Sequence, residues 1–339
     1  MKRRILSITL AVAMLVVAVI GFSGCQKKAE WPTKPITIVV SSSAGGGTDL
    51  GNRALAAAME GELGQKINVV NVPAGGGGAA ANQVFSAPHD GYNLIGFFEG
   101  IFSFAAMNAH ESTTKDWEYF ILGGTPGVLS VAADSPWNSV EDVIQAMKDK
   151  PGEIRLANSS VGCIWDIKAA LLQKASGIEY KFVPYQGSNP SILALLNGEV
   201  DVIITGVGEQ SEFLAAKKLK PLAMIELNDM DVPGYKNVPS ITKAVPAMKD
   251  YLPLDQTIGF AVPADAPKEV IAKLDAAFKK AIESEGIKKY AETGHLKISG
   301  ASGEKAKEIG KKMESTLSWI LFDKGVAQNS PEKYGIPRP

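Results

Sequence analysis

Residues 36–55 read ITIVVSSSAGGGTDLGNRAL: five β-branched residues, three serines, three adjacent glycines, then the start of an alanine-rich stretch. The apolar run suits a strand. The stretch Asp49–Leu63 puts Leu50, Ala54, Ala57, Ala58 and Leu63 on one side of a helix, so the glycines fall in a strand-to-helix turn. Such a turn presents backbone N–H groups and the positive end of a helix dipole to whatever lies above it, which suits phosphate or carboxylate.

The same grammar runs on. Gly64 stops the helix, KINVVNV (66–72) gives a strand, PAGGGGAAANQVFSA (73–87) a second glycine-rich turn and helix, and YNLIGFF (92–98) a third strand. The second half repeats this order with EIRLANSS (153–160), VGCIWDIKAALLQKASG (161–177), IEYKFVPY (178–185), QGSNPSILALLNGE (186–199) and VDVIITG (200–206). Segment Ser42–Pro73 thus corresponds to Ser159–Pro184, which predicts two α/β lobes built alike around largely parallel sheets. Ligands of open α/β sheets lie beyond the carboxyl ends of the strands. Four turns should therefore line a cleft: Ala44–Asp49, Ala74–Gly78, Ser159–Cys163 and Gln186–Asn189. The strand IGFAV (258–262) and a helix opened by Pro267 return the chain to the first lobe, so the lobes are expected at 34–126 with 258–310 and at 127–257. Crossings near Gly124–Ser130 and Asp255–Ala261 would form a hinge.

Composition narrows the function. Of 339 residues 45% are apolar and 21% charged, ordinary for a globular chain. The 35 basic and 36 acidic side chains leave no basic excess, and no Lys/Arg-rich stripe interleaved with aromatics occurs, so no nucleic-acid partner is expected. Residues 1–24 carry Lys2, Arg3 and Arg4, an uncharged run from Ile5 to Phe22 and then small residues, the pattern of a secretory signal; a spanning helix is the alternative. Removing them takes three of the 35 basic residues and no acidic one, so 32 face 36 and the exported chain is mildly acidic. FSGC (22–25) resembles the lipoprotein box, with Phe22 where Leu is usual. Cys25 would become the lipid-bearing first residue of a chain whose segment 25–33 is a linker, and membrane contact would come through that lipid. Cys163 would then be the single thiol, which leaves no disulfide framework.

The marks WPTKPITIVV, AGGGTD, NVPAGGGGAAA, PHDGYNL, VPYQGSNPSILALLNGEVDV and IGFAVPADAPKEVIAKL, in register across the mature chain, resemble the solute-binding proteins of tripartite tricarboxylate transporters, the Bug or TctC family. That resemblance implies a two-lobed Venus flytrap of the type II periplasmic-binding-protein kind, a monomer that performs no chemistry. It would capture a small organic carboxylate and deliver it to integral-membrane transporter subunits. A sensor presenting its closed form to a signalling partner is the alternative. In the family, backbone N–H groups at the turns and bridging waters hold the carboxylate. The corresponding positions here are Ser43, Ala44, Gly45, Gly46, Gly47, Thr48 and Asp49, then Gly75, Gly76 and Gly77, and from the second lobe Ser159, Ser160, Val161, Gly162, Cys163, Gln186 and Gly187. Tyr185 and Thr205 stand at strand ends beside them, and Asp49 is read first as a helix cap.

Rival chemistries lack parts. AGGGTDL has neither the Lys and Ser/Thr of a P-loop nor the spacing of a dinucleotide fingerprint. Cys163, at a helix N-terminus, is the best nucleophile on offer, yet His89, His110 and His295 sit in no motif that would supply its base. No cofactor is implied, and no clustered ligands imply a metal. Three acids depart from the family's pattern: Glu99, beside Phe98; Asp166, beside Trp165; and Glu209. An anionic ligand beside an unpaired carboxylate meets repulsion in a desolvated cleft, so these acids point to a ligand that also carries a cation, such as an amino acid. EKAKEIGKKMESTLSWILFDKG (304–325) should form an amphipathic helix, with Met313, Leu317, Ile320 and Leu321 packed on the lobes, and SPEKYGIPRP (330–339) an extended surface tail, with 311–339 divided from the first lobe.

Overall fold

The run Ile36–Val40 forms β1, with Ile36, Ile38, Val39 and Val40 fully buried in the first lobe. In the computed structural model, which describes residues 30–339, β1 pairs in parallel with β2 (Ile67–Asn71) and β3 (Asn93–Phe97). The expected signal segment 1–24 and the lipid site Cys25 lie outside the described residues. β4 (Trp117–Gly124) leads to the first crossing, after which β5 (Gly127–Ala132) enters a second sheet. There β6 (Arg155–Asn158) pairs in parallel with β7 (Lys181–Pro184) and β8 (Val202–Gly206), and β9 (Leu219–Met224) forms the far edge. After a hairpin, β10 (Met230–Val232) and β11 (Tyr235–Val238), the chain crosses back into β12 (Ile258–Pro263) and ends the first sheet with β13 (Lys297–Ser302).

The strand orders are β2-β1-β3-β12-β4-β13 and β7-β6-β8-β5-β9, so two lobes repeat one plan. Parallel pairing is confined to three strands of each sheet. β5 and β12 both run antiparallel to their neighbours. The reason is the crossing itself: each strand enters its sheet from the cleft, where the parallel strands end, and must run the opposite way. Gly259 accordingly pairs with Phe97, and Gly127 with Gly206.

Helices cover the faces: α1 (Gly47–Leu63), α2 (Gly78–Phe85), α3 (Val140–Asp149), α4 (Ile164–Ser176), α5 (Ser188–Leu196), α6 (Val207–Ala215), α7 (Lys268–Glu283), α8 (Glu285–Thr293) and α9 (Gly303–Asp323). The equivalent helices α1 and α4 end alike. Gly64 and Gly177 take left-handed φ values of 65° and 68°, and the N–H of each returns to the carbonyl four residues back, Glu60 and Gln173, at 2.9 Å. In the first lobe Phe120 stacks on Phe260, with Phe278 against both; in the second, Val128, Ile192, Ile203 and Leu214 centre the core. The crossings lie side by side. Thr125 N–H donates to Gln256 Oε1 at 2.9 Å, and a Cβ at Gly124 would stand 2.1 Å from the Gln256 carbonyl oxygen.

The C-terminal region corrects two expectations. α9 begins at Gly303, so the boundary expected at 310/311 falls inside it, and Met313, Leu317 and Leu321 are buried while Ile320 is only half-buried. The tail is not an extended surface segment. It turns back along α9, where Trp319 Nε1 donates to the Ile336 carbonyl at 3.2 Å and Ser315 Oγ to that of Pro337 at 2.7 Å, because Ile336 has an apolar surface to bury. No helix among the described residues is long and apolar enough to cross a membrane.

Candidate ligand-binding site

Both lobes direct a helix N-terminus at the space between them, and the two turns are built alike. Gly45 and Gly162 adopt left-handed φ values of 79° and 77°, and each donates its N–H to the carboxylate four residues on, Gly45 to Asp49 Oδ2 at 2.9 Å and Gly162 to Asp166 Oδ2 at 3.0 Å. Burial acts to raise the Asp49 carboxyl. The bonds from Arg53, the Gly45 N–H and Asn71 outweigh it and hold the group below the usual carboxylate range. Asp49 thus braces the glycine turn.

Between the turns lies a chamber of about 30 Å³, lined by Ser41, Ser42, Gly46, Gly47, Thr48, Gly76, Phe98 and Glu99 from the first lobe. Ser159, Ser160, Cys163, Trp165, Gln186, Gly187, Ser188 and Glu209 close it from the second, and Gln256 from the return crossing. Ser43 Oγ donates to the Gln186 carbonyl and ties the lobes at the rim. A chamber this size holds about one or two waters.

Two carboxylates cross the cleft in opposite directions. Glu99, after β3, is 1% exposed; its Oε1 accepts the Ile164 N–H, the first amide of α4, at 2.6 Å, and its Oε2 accepts the Thr257 N–H at 3.2 Å. Desolvation raises its pKa to about 7 against the lowering effect of these bonds, and the Glu209 charge adds to the rise. Glu209, after β8, is half-buried and reaches back to α1, where a Cβ on Gly47 would stand 2.6 Å from its Oε1. Its hydrogen bonds from other side chains are long, 3.4 Å from Ser188 and from Thr125 and 3.5 Å from Gln256; desolvation raises its pKa against these and the bond from its own backbone N–H. Among the described residues neither carboxylate has a Lys or Arg partner.

Several positions singled out in the sequence do not line the chamber. Ser43, Ala44 and Gly45 stand at its rim, Gly75 and Val161 face solvent, and Gly77 packs against Ser41 and Phe104. Asp49, Gly162 and Asp166 support the turns from behind, with Lys324 Nζ 3.9 Å from Asp166. Tyr185 directs its hydroxyl to Glu199 outside the cleft, and Thr205 is buried in β8 against Gln210. Burial, reinforced by the charges of Glu99 and Asp166, pushes the Cys163 thiol up to about 12, the reverse of a nucleophile's requirement, and no histidine reaches it: His89 pairs with Asp265 and His110 with Ser112. Among the described residues no group of three or more His, Cys, Asp or Glu is placed to hold a metal ion.

Four lining residues were not singled out. Ser188 belongs to a turn that was, Ser41 and Ser42 precede the first glycines, and Gln256 has no local signal because only the return crossing brings it to the cleft.

The model of the tripartite tricarboxylate transporter family receptor, TctC, matches residues 52–315. A Pseudomonas sp. (strain P51) relative, the UPF0065 protein in the tcbD-tcbE intergenic region, is 28% identical over 292 residues, covering 84% of this chain and 85% of its own. Among solved structures, R. palustris Rpa4515 with adipate is similar at a TM-score of 0.79 and 24% identity over 88% of this chain and 99% of that one. MatC (Rpa3494) from Rhodopseudomonas palustris with bound malate gives 0.77 and 21% over 86% and 100%. Both likenesses are of the two-lobed binding-protein fold. With the family model spanning both lobes and the two turn systems facing one chamber, the chain belongs to the tripartite tricarboxylate transporter receptor (TctC) family.

Proposed function

We propose that the protein is an extracytoplasmic solute-binding protein that captures a small organic carboxylate by hinge closure and hands it to the membrane subunits of a tripartite tricarboxylate-type secondary transporter. The observation that carries this reading is the convergence of glycine and serine turns from both lobes on one chamber too small to fill without opening. The adipate and malate held by the two similar structures support the ligand class. In this reading residues 34–126 with 258–339 and residues 127–257 move as two bodies about the paired crossings. Closure is favoured only by contacts that the closed state adds, here those from Ser159, Ser160 and Gln186 to a solute first held by the first lobe. Export and a lipid on Cys25 would hold the receptor at the membrane where the transporter lies.

Thermal-shift titration with amino acids and with di- and tricarboxylates tests it. A ligand specific to the folded state raises the melting point as its concentration rises. No response to any small organic acid would remove the proposal.

A further inference from the structure

The two helix N-termini that face the chamber are each met by a carboxylate from the other lobe. Glu99 Oε1 accepts the Ile164 N–H of α4 at 2.6 Å, and the Glu209 carboxylate lies against Gly47 of α1, where a Cβ would stand 2.6 Å from its Oε1. The chain thus supplies its own anion at both places where a solute carboxylate would otherwise settle. The other lining residues are uncharged, with Ser42, Thr48, Ser160, Gln186 and Gln256 among them, and within the described residues no Lys, Arg or His lines the chamber. A buried cation does lie behind one wall, Lys168, 5.3 Å from the centroid of the Trp165 ring, but Glu226 holds it at 2.7 Å. A solute carboxylate brought into this space is therefore a third acid in a desolvated chamber with no cation to answer it. Carboxylates crowded into one site do not all ionise; they share a proton.

We propose that the receptor takes up its carboxylate solute together with a proton: on binding, one proton from the solvent is taken by the Glu99–Glu209 pair, and the resulting O–H donates to the solute carboxylate. The proton returns to the solvent when the solute leaves. The proposal rests on the solute-binding function above and makes pH a regulator of the same site. The Glu209 charge already acts on Glu99 across the cleft, and burial places Glu99 at about 7, so the uptake falls in the neutral range. Of the other titratable groups beside the pair, burial pushes the Cys163 thiol up to about 12 and lifts the Tyr290 hydroxyl, both away from that range. Asp49 faces Arg53 at 3.0 Å, and Asp166 faces Lys324 at 3.9 Å.

Succinate, malate and adipate, titrated calorimetrically into the full-length protein, test this. In two buffers of different ionisation enthalpy at about pH 7.5, where the probes are fully ionised, at least one should bind with uptake of about half to one proton, read from the difference in heat. Proton and solute favour each other by the same factor, so above about pH 7 affinity should fall as pH rises, approaching about tenfold per unit. Below that it should level off, because the free protein already holds the proton. Replacing both acids, Glu99→Gln with Glu209→Gln, puts neutral side chains of the same size in their place and should abolish the uptake and flatten the profile. Either single substitution should lessen both effects, which covers the case in which the double variant fails to fold. A probe that binds equally well across this range with no proton exchanged would overturn the inference while leaving the solute-binding reading intact, and so would an uptake that survives the double substitution. Failure of all three probes to bind, even at about pH 5.5, would overturn the inference and also count against capture of a simple carboxylate.

Discussion

Glu99 carries a proton well above the ordinary carboxylate range because its burial is answered by backbone N–H groups, those of Ile164, Thr257 and Glu99 itself, and no cation. The sign of the resulting pH effect follows. Between the ordinary value of 4.5 and about 7 the folded chain holds a proton that the unfolded chain has released, so stability falls as pH rises through this window and levels off above it. Urea midpoints measured from pH 4 to 8 should trace this fall, and Glu99→Gln should flatten it; an unchanged slope would mean that another group carries the effect. Ser42 gives a second prediction at this scale. Its hydroxyl is buried without a partner, so Ser42→Ala should leave the melting point unchanged or slightly higher while weakening ligand binding about fivefold, as expected for one hydrogen bond. Calorimetric affinities beside melting curves separate the two effects.

Among the elements, the crossings are the most demanding. A methyl group at Gly124 meets backbone rather than a movable side chain, so Gly124→Ala must push the two segments apart and should cost about 1–3 kcal/mol in a denaturant titration. Wild-type stability in that variant would mean the crossings are free to separate. What could be read from sequence follows the same division between local and distant causes. The alternation of β1, glycine turn and α1, and its repetition in β6 and α4, is local, so lobes, turns and helix stops were legible. The antiparallel course of β5 and β12 was not, since it follows from the direction in which a crossing meets the sheet. Val161 shares the motif of its neighbours yet faces solvent, and Gln256 lines the chamber without belonging to any motif, because both placements depend on how one lobe meets the other.

For the whole molecule, the proposed closure would turn on the paired crossings. Small-angle scattering of the protein with and without a ligand found by titration should show the radius of gyration shrinking on binding, and an unchanged radius would argue against a hinge mechanism. Stabilisation should follow mass action, about 2.7 kcal/mol at a hundredfold excess over Kd. The matched turns, Gly45 to Asp49 and Gly162 to Asp166, have a further consequence. They present one backbone shape to the chamber from opposite walls, so either end of an elongated molecule with unlike ends would meet nearly the same backbone. Orientation must then be read by the few side chains that break the likeness, Cys163 facing Gly46 and a firmly held Glu99 facing a loosely held Glu209, which makes head-to-tail discrimination the work of a handful of atoms on a scaffold that is otherwise indifferent to direction.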